Sequence, residues 1–229
     1  MKTIIITGAS RGIGRFLFGK FSSDGDKVHG TYHSENEALK EDPHYYRLDV
    51  TDHAGAMAFA ESLKAEIENA VLINCAGNNY NSFAHKSEHD AWKQVIDTNL
   101  TGTYNVIRAF LPIMREKNYG RIINFASVVA ETGIPGTSAY AASKSGLWGM
   151  TRSIAVENAS KGITVNCLNL GYFDIGMITE VSEEYQKVVK QKIPTGKFGD
   201  PQNIYNAVRF IIDSDYLTGT SLDINGGIY

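Results

Sequence analysis

The chain has 229 residues, 43% apolar and 21% charged, with a net charge of −3 and only two cysteines. Those totals fit one α/β domain spanning 1–229 and exclude a disordered chain, a fibrous repeat and a disulfide scaffold. No lysine- or arginine-rich run marks a nucleic-acid or anionic-membrane surface, and no apolar run nears the roughly 18 residues of a membrane span. The apolar run after Lys2 stops at Thr7-Gly8, too short for a secretory leader, and the thiols Cys75 and Cys167 suit a reducing compartment. Cytoplasm is the expected location.

In chain order, Thr3 to Thr7 is a β-branched run that predicts a buried strand ending at Gly8. Gly8-Ala9-Ser10-Arg11-Gly12-Ile13-Gly14 follows, and Phe16, Leu17, Phe18 and Phe21 have helical spacing. In a strand–turn–helix unit, Gly8 permits a tight turn, Gly12 lets backbone approach a ligand, and Gly14 lets the helix press on the strand. Unpaired N–H groups at the helix start suit a pyrophosphate. The spacing G-x-x-x-G-x-G is not the common G-x-G-x-x-G, but the physics is the same, and a dinucleotide is the expected ligand.

Lys27 to Tyr32 predicts a second strand, whose end reads Gly30-Thr31-Tyr32-His33-Ser34, with no acid before Glu35. An NAD site usually places a carboxylate there for the ribose 2′-hydroxyl. Its absence, with Arg11 and either His33 or Ser34 nearby, points to NADPH/NADP+ rather than NAD; a solvated Arg11 is the competing reading. Tyr45 to Val50 predicts a third strand, Ala54 to Ile67 a helix, and Ala70 to Asn74 a fourth strand ending at Cys75-Ala76-Gly77. Successive strand–helix units imply a parallel sheet with right-handed crossovers.

The polar segment 78–90 predicts a loop. A long helix runs from Ala91 through Met114, with Asn99 near its inner face as a structural plug or a site residue. Arg121 to Phe125 is strand-like and precedes Ser127; Gly133-Ile134-Pro135-Gly136 turns the chain back, and Ser138 to Trp148 predicts a helix. On that helix Tyr140 and Lys144 stand four residues apart on one face. An ammonium beside a phenol lowers its pKa from about 10, so Tyr140 is a candidate acid/base with Ser127 offering a hydroxyl beside it. Gly162 to Leu168 predicts another strand, Ser182 to Lys192 a polar helix, Pro201 to Ile212 a last helix, and Leu217 to Ile224 a final strand.

The ordered set Thr7-Gly8-x-x-x-Gly12-x-Gly14, Asn74-Cys75-Ala76-Gly77, Asn99, Ser127 and Tyr140-x-x-x-Lys144 resembles the classical short-chain dehydrogenase/reductases over nearly the whole chain. Within that family the chain looks most like β-ketoacyl (3-oxoacyl-acyl-carrier-protein) reductases, through Leu48-Asp49-Val50, Asn99-Leu100 and Asn225-Gly226-Gly227. The resemblance implies a Rossmann-type, doubly wound, seven-stranded parallel sheet with helices on both faces. It implies Tyr140 as acid/base, Ser127 steadying the substrate oxygen, and Lys144 lowering the phenol pKa while holding the nicotinamide ribose, with Asn99 in a proton relay. It also implies Asp49 and Val50 at adenine, Asn74, Ala76 and Gly77 along the cofactor, and Gly171 and Phe173 beside the nicotinamide. A homotetramer pairing the helices from Ala91 and Ser138 is the implied assembly, and no metal is expected.

Four positions depart from the family. Cys75 replaces an Asn, Leu170 a Pro and Ile175 a nicotinamide-anchoring Thr, while Asn118 stands where carrier-protein reductases have a second cation beside Lys161. The expected reaction is NADPH-dependent reduction of a ketone or β-ketoacyl thioester, carrier-bound or free. An alcohol dehydrogenase working oxidatively on a small hydroxy compound or sugar is the alternative, and a non-catalytic nucleotide sensor a further one. Substrate loops are expected at 78–90 and 172–195, with Tyr80, Phe83, Tyr172 and Met177 as pocket material.

Overall fold

A computed structural model describes residues 2–229. The chain opens with β1 (Thr3–Thr7), α1 (Gly12–Ser23), β2 (Lys27–Tyr32), a short α2 (Glu37–Lys40), β3 (Tyr45–Arg47), α3 (His53–Leu63) and β4 (Ala70–Asn74). It continues with α4 (His89–Ile96), α5 (Gly102–Lys117), β5 (Gly120–Ser127), α6 (Val129–Thr132), α7 (Ser138–Asn158) and β6 (Ile163–Leu170), and closes with α8 (Glu183–Lys192), α9 (Pro201–Asp213) and β7 (Ser221–Ile224). The strands form one seven-stranded sheet in the order β3-β2-β1-β4-β5-β6-β7, and every pairing is parallel. This is the doubly wound Rossmann-type arrangement.

Strand alternation divides the core in two. Ile5, Leu72, Ile122 and Val165 face α3 and α5 on one side, where Phe59, Ile107 and Phe110 meet them. Ile4, Ile6, Val71, Ile73 and Ile123 face α1 and α9 on the other, against Leu17, Phe21, Val208 and Ile211. Both faces are covered, so the strands read as unbroken apolar runs, and β1, β4, β5 and β6 are buried throughout.

Several boundaries differ from the sequence expectation, each for a local reason. β3 stops at Arg47 because Asp49 Oδ1 accepts from the Thr51 N–H at 2.9 Å, bending Leu48–Val50 out of the sheet. β7 begins only at Ser221, because the Leu217 carbonyl accepts from Asn166 Nδ2 at 2.7 Å and Gly219 takes a left-handed φ of 74°. α7 runs on to Asn158, and Ser127 ends β5 rather than following it. The expected helix from Ala91 is two α-helices joined by a π-helical turn at Asp97–Thr101. Among the described residues, no helix is long and apolar enough to cross a membrane.

Candidate functional site

Strand order reverses between β1 and β4, which opens a crevice at the carboxyl ends of those strands. Thr7 Oγ1 accepts from both the Cys75 and Ala76 N–H groups at 3.1 Å, tying the two strand exits together. Gly8, at φ 66°, passes so close to the other exit that a Cβ there would lie 2.8 Å from Ala76 Cα. A Cβ on Gly14 would lie 2.3 Å from the Gly8 carbonyl oxygen, which is why α1 can start directly beneath the turn. The N-cap of α1, Arg11, makes no side-chain cap, so the first-turn N–H groups are left to a ligand.

From this turn a cleft of about 1080 Å³ extends past Thr31–Ser34 and Leu48–Thr51 on one side and Ser127, Tyr140 and Lys144 on the other. Gly8, Ser10, Arg11, Gly12, Ile13, Gly14, His33, Asp49, Val50, Ala76, Gly77, Gly171 and Phe173 all line it. Asn74, expected along the cofactor, does not line the cleft. Asn74 is 3% exposed and its amide donates to Asn124 Oδ1 at 2.8 Å, so strand alternation has turned it into the sheet. Asn124 in turn donates to Thr151 Oγ1 at 2.9 Å, giving a buried polar line from β4 through β5 to α7.

Asn99 is also fully buried, behind the wall, on the π turn. Its Oδ1 accepts from the Asn78 N–H and its Nδ2 donates to the Asn78 carbonyl, both at 2.9 Å, while Nδ2 also donates to Ser143 Oγ at 3.1 Å. Ser143 Oγ donates to the Tyr140 carbonyl at 2.8 Å. Asn99 therefore braces both the loop after β4 and the turn of α7 that carries Tyr140.

At the polar end of the cleft, Ser127 Oγ accepts from the Val129 N–H at 3.2 Å, which leaves its hydroxyl proton to donate elsewhere. The Tyr140 phenol is pushed up to about 12 by burial, against a hydrogen bond from Ser127 that works the other way and a contribution from Tyr172 that adds to the rise. This corrects the expectation of an ammonium-lowered phenol. Lys144 Nζ lies 5.5 Å from the Tyr140 ring centroid and donates to the Phe125 carbonyl at 2.7 Å. Burial also brings Lys144 down to about 8, with Cys75 and Cys167 opposing that shift. At neutral pH the site thus holds a protonated phenol and an ammonium close to its titration point. Cys75 lines the cleft, but burial holds its thiol protonated well above the usual range.

At the far end His33 Nε2 lies 3.5 Å from Asp49 Oδ2. Burial tends to raise the Asp49 pKa, but hydrogen bonds from the Thr51 side chain and backbone, with His33, outweigh it and hold the carboxyl below its usual value. Arg11 Nη1 meets Glu180 Oε1 at 3.2 Å across the mouth. Ile175, in place of the expected Thr, packs on the α1/α9 core while also lining the cleft, and Leu170 is buried in the same cluster.

Sequence reasoning missed Glu180 and the α4 side of the wall, Lys93, Gln94, Asp97, Thr98 and Thr101. Residues of α4 were assigned to the long helix, and the π turn that re-aims them leaves no trace in apolar periodicity. Among the described residues, no cluster of three or more His, Cys, Asp or Glu side chains could hold a metal ion.

The family model for short chain dehydrogenase matches residues 2–186. The chain is 37% identical to 3-oxoacyl-(acyl-carrier-protein) reductase FabG of Escherichia coli strain K12, over all of this chain and 97% of that protein. It is 35% identical to the reductases of the same name from Haemophilus influenzae and Staphylococcus aureus, again over all of this chain and 98% of each. The chain belongs to the short-chain dehydrogenase/reductase family, oxidoreductases that act on CH–OH and C=O groups.

Proposed function

We propose that the protein is an NADP(H)-dependent reductase converting a ketone or β-ketoacyl thioester to the secondary alcohol. The observation that carries this reading is the placement of Ser127, Tyr140 and Lys144 in the wall of the same cleft that begins at the uncapped α1 N-terminus. A dinucleotide fits that cleft: side chains are excluded where the pyrophosphate would lie, since Cβ atoms at Gly8 and Gly14 would strike backbone at 2.8 and 2.3 Å. The backbone of 8–14 would hold the pyrophosphate, with Asp49 and Val50 at adenine, Ala76 and Gly77 along the middle, and Gly171 and Phe173 at the nicotinamide end. Arg11 and His33 would take the 2′-phosphate, and the lining residues Thr31–Ser34 offer no carboxylate to repel it.

When bound, the nicotinamide supplies the hydride for the carbonyl carbon. With substrate bound, Ser127 would turn its hydroxyl hydrogen bond from the Tyr140 phenol to the carbonyl oxygen and fix that oxygen beside Tyr140. Tyr140 gives that oxygen a proton as charge develops there. Lys144, one N–H engaged by Phe125, turns its remaining donors toward the ribose and stabilises the phenolate as it forms. Asn99 acts as a positioning residue through Asn78 and Ser143.

The names of the relatives support a thioester substrate. Asn118 takes the left-handed C-cap of α5 at φ 51°, a conformation Asn adopts more readily than most non-glycine residues, and a Cβ on Gly162 would lie 2.5 Å from its carbonyl oxygen. Asn118 thus puts no cation opposite Lys161, so a free thioester is read as the better substrate than a carrier-bound one. Tyr104 on α5 and Val156 on α7, 47% and 82% exposed, are read as contacts of a homotetramer, which light scattering would check.

The test is an NADPH-oxidation assay over β-ketoacyl thioesters and simple ketones, comparing wild type with Tyr140→Phe. The expected loss is about 10²–10⁴-fold in rate with NADPH binding retained. A variant working at full rate would overturn the chemistry, and a clear preference for NADH would overturn the cofactor.

A further inference from the structure

We propose that Glu180 is a specificity-determining residue: by occupying the Arg11 guanidinium, its carboxylate competes with a cofactor 2′-phosphate and weakens the preference for NADP(H) over NAD(H). The inference rests on the reading of the cleft as a dinucleotide site. Glu180 ends the 3₁₀ segment Gly176–Glu180, which lies down on the glycine turn of the cofactor wall. Two contacts set that segment in place independently of the ion pair, and a third closes it on itself. Ile175, just before it, packs on the α1/α9 core; Gly176 comes so near that a Cβ on Gly12 would be 3.4 Å from its Cα; and Thr179 Oγ1 donates to the Gly176 carbonyl at 2.8 Å.

Backbone placement therefore delivers the Glu180 carboxylate to Arg11, 3.2 Å away, where both side chains line the cleft. The other Lys and Arg residues of the cleft wall are committed differently, Lys144 to Phe125 at the opposite end and Lys93 to Asp97 on α4. A 2′-phosphate carries between about one and two negative charges at neutral pH, so it and Glu180 are rival anions at one guanidinium. A bare 2′-hydroxyl makes no such demand, and NAD(H) leaves the pair intact. With side chains 70% and 59% exposed, the pair is screened and its coupling is weak, so the effect is about 2–5-fold in affinity.

The experiment is a fluorescence titration of NADPH and of NADH into wild type, Glu180→Gln, Arg11→Ala and the double variant. Glu180→Gln is expected to tighten NADPH about 2–5-fold, leave NADH unchanged, and lose its effect in the Arg11→Ala background and in high salt. Equal tightening of both cofactors, a gain that persists without Arg11, or no gain at all would overturn the proposal while leaving the cleft assignment standing. Failure of wild type to bind NADPH would overturn both.

Discussion

The two walls of the cleft meet at Gly12 and Gly176 but are made of different material. On the β1–β4 side the boundary is backbone at its closest approach, with β1 and β4 buried along their whole length and no room for a Cβ at Gly8 or Gly14. On the 172–195 side the boundary is a thin layer over the small cluster of Ile178, Val189, Ile193 and Phe198. There Met177, Val181, Tyr185 and Val188 are between 38% and 50% exposed, and α8 buries only Val189. A wall of main chain fixes one shape and suits an invariant ligand. A wall of half-exposed side chains opens at low cost and can be rewritten residue by residue, which suits the part of a site that sets specificity.

The sharpest way to break that contrast is to put side-chain atoms into the rigid wall. Gly14→Val places carbon on the Gly8 carbonyl, and a loss of about 3 kcal/mol or more in urea unfolding is expected, with cofactor binding abolished. A variant as stable as wild type would mean that the turn is as pliable as the opposite wall.

A smaller effect is expected at Lys144, where the rigid wall holds a charge at a cost. Its folded-state pKa of about 8 lies below the ordinary 10.5. Between those values the unfolded chain binds the extra proton, so the wild type gains stability as pH rises through that window, whereas below pH 8 the full penalty applies. Lys144→Met is therefore expected to be inactive yet more stable at pH 7, by roughly 1–3 kcal/mol after the loss of the Phe125 hydrogen bond. The gap should close as pH rises from 8 to 10.5. A gap independent of pH would show that packing, not desolvation, sets it.

The smallest change belongs to the other wall. Tyr185→Ala should leave unfolding within about 0.5 kcal/mol of wild type and alter KM for bulky substrates more than kcat. A large loss of stability there would erase the distinction between the walls.

What the sequence disclosed follows the same division. The runs at 3–7 and 70–74 end at glycines or small residues whose freedom has a local meaning, so the strand–turn–helix unit and its ligand class could be read directly. Tyr140 and Lys144 were legible because helical spacing is local. Asn74 was misplaced because the face a strand presents depends on its pairing partners, and the bracing contacts of Asn99 were hidden because apolar periodicity does not record the π turn. Arg11 and Glu180 stand 169 positions apart, and no local pattern joins them. The direction of the Tyr140 shift is illegible for a related reason: burial is a property of the assembled site, and here it is the largest cause of the rise.

The π turn at Asp97–Thr101 has a mechanical meaning as well. An α-helix rotates about 100° per residue, so two stripes on one uninterrupted rod keep a fixed angular offset. Here the rod from His89 to Lys117 must turn Lys93, Gln94 and Asp97 toward the cleft and Ile107, Phe110 and Met114 toward the sheet. The wider turn resets the phase between those stripes, as a coupling sets the angle between two shafts. Deleting one residue there would preserve every side chain of both stripes and still swing one of them away from its target, so the length of this rod is as much a part of the site's specification as its chemistry.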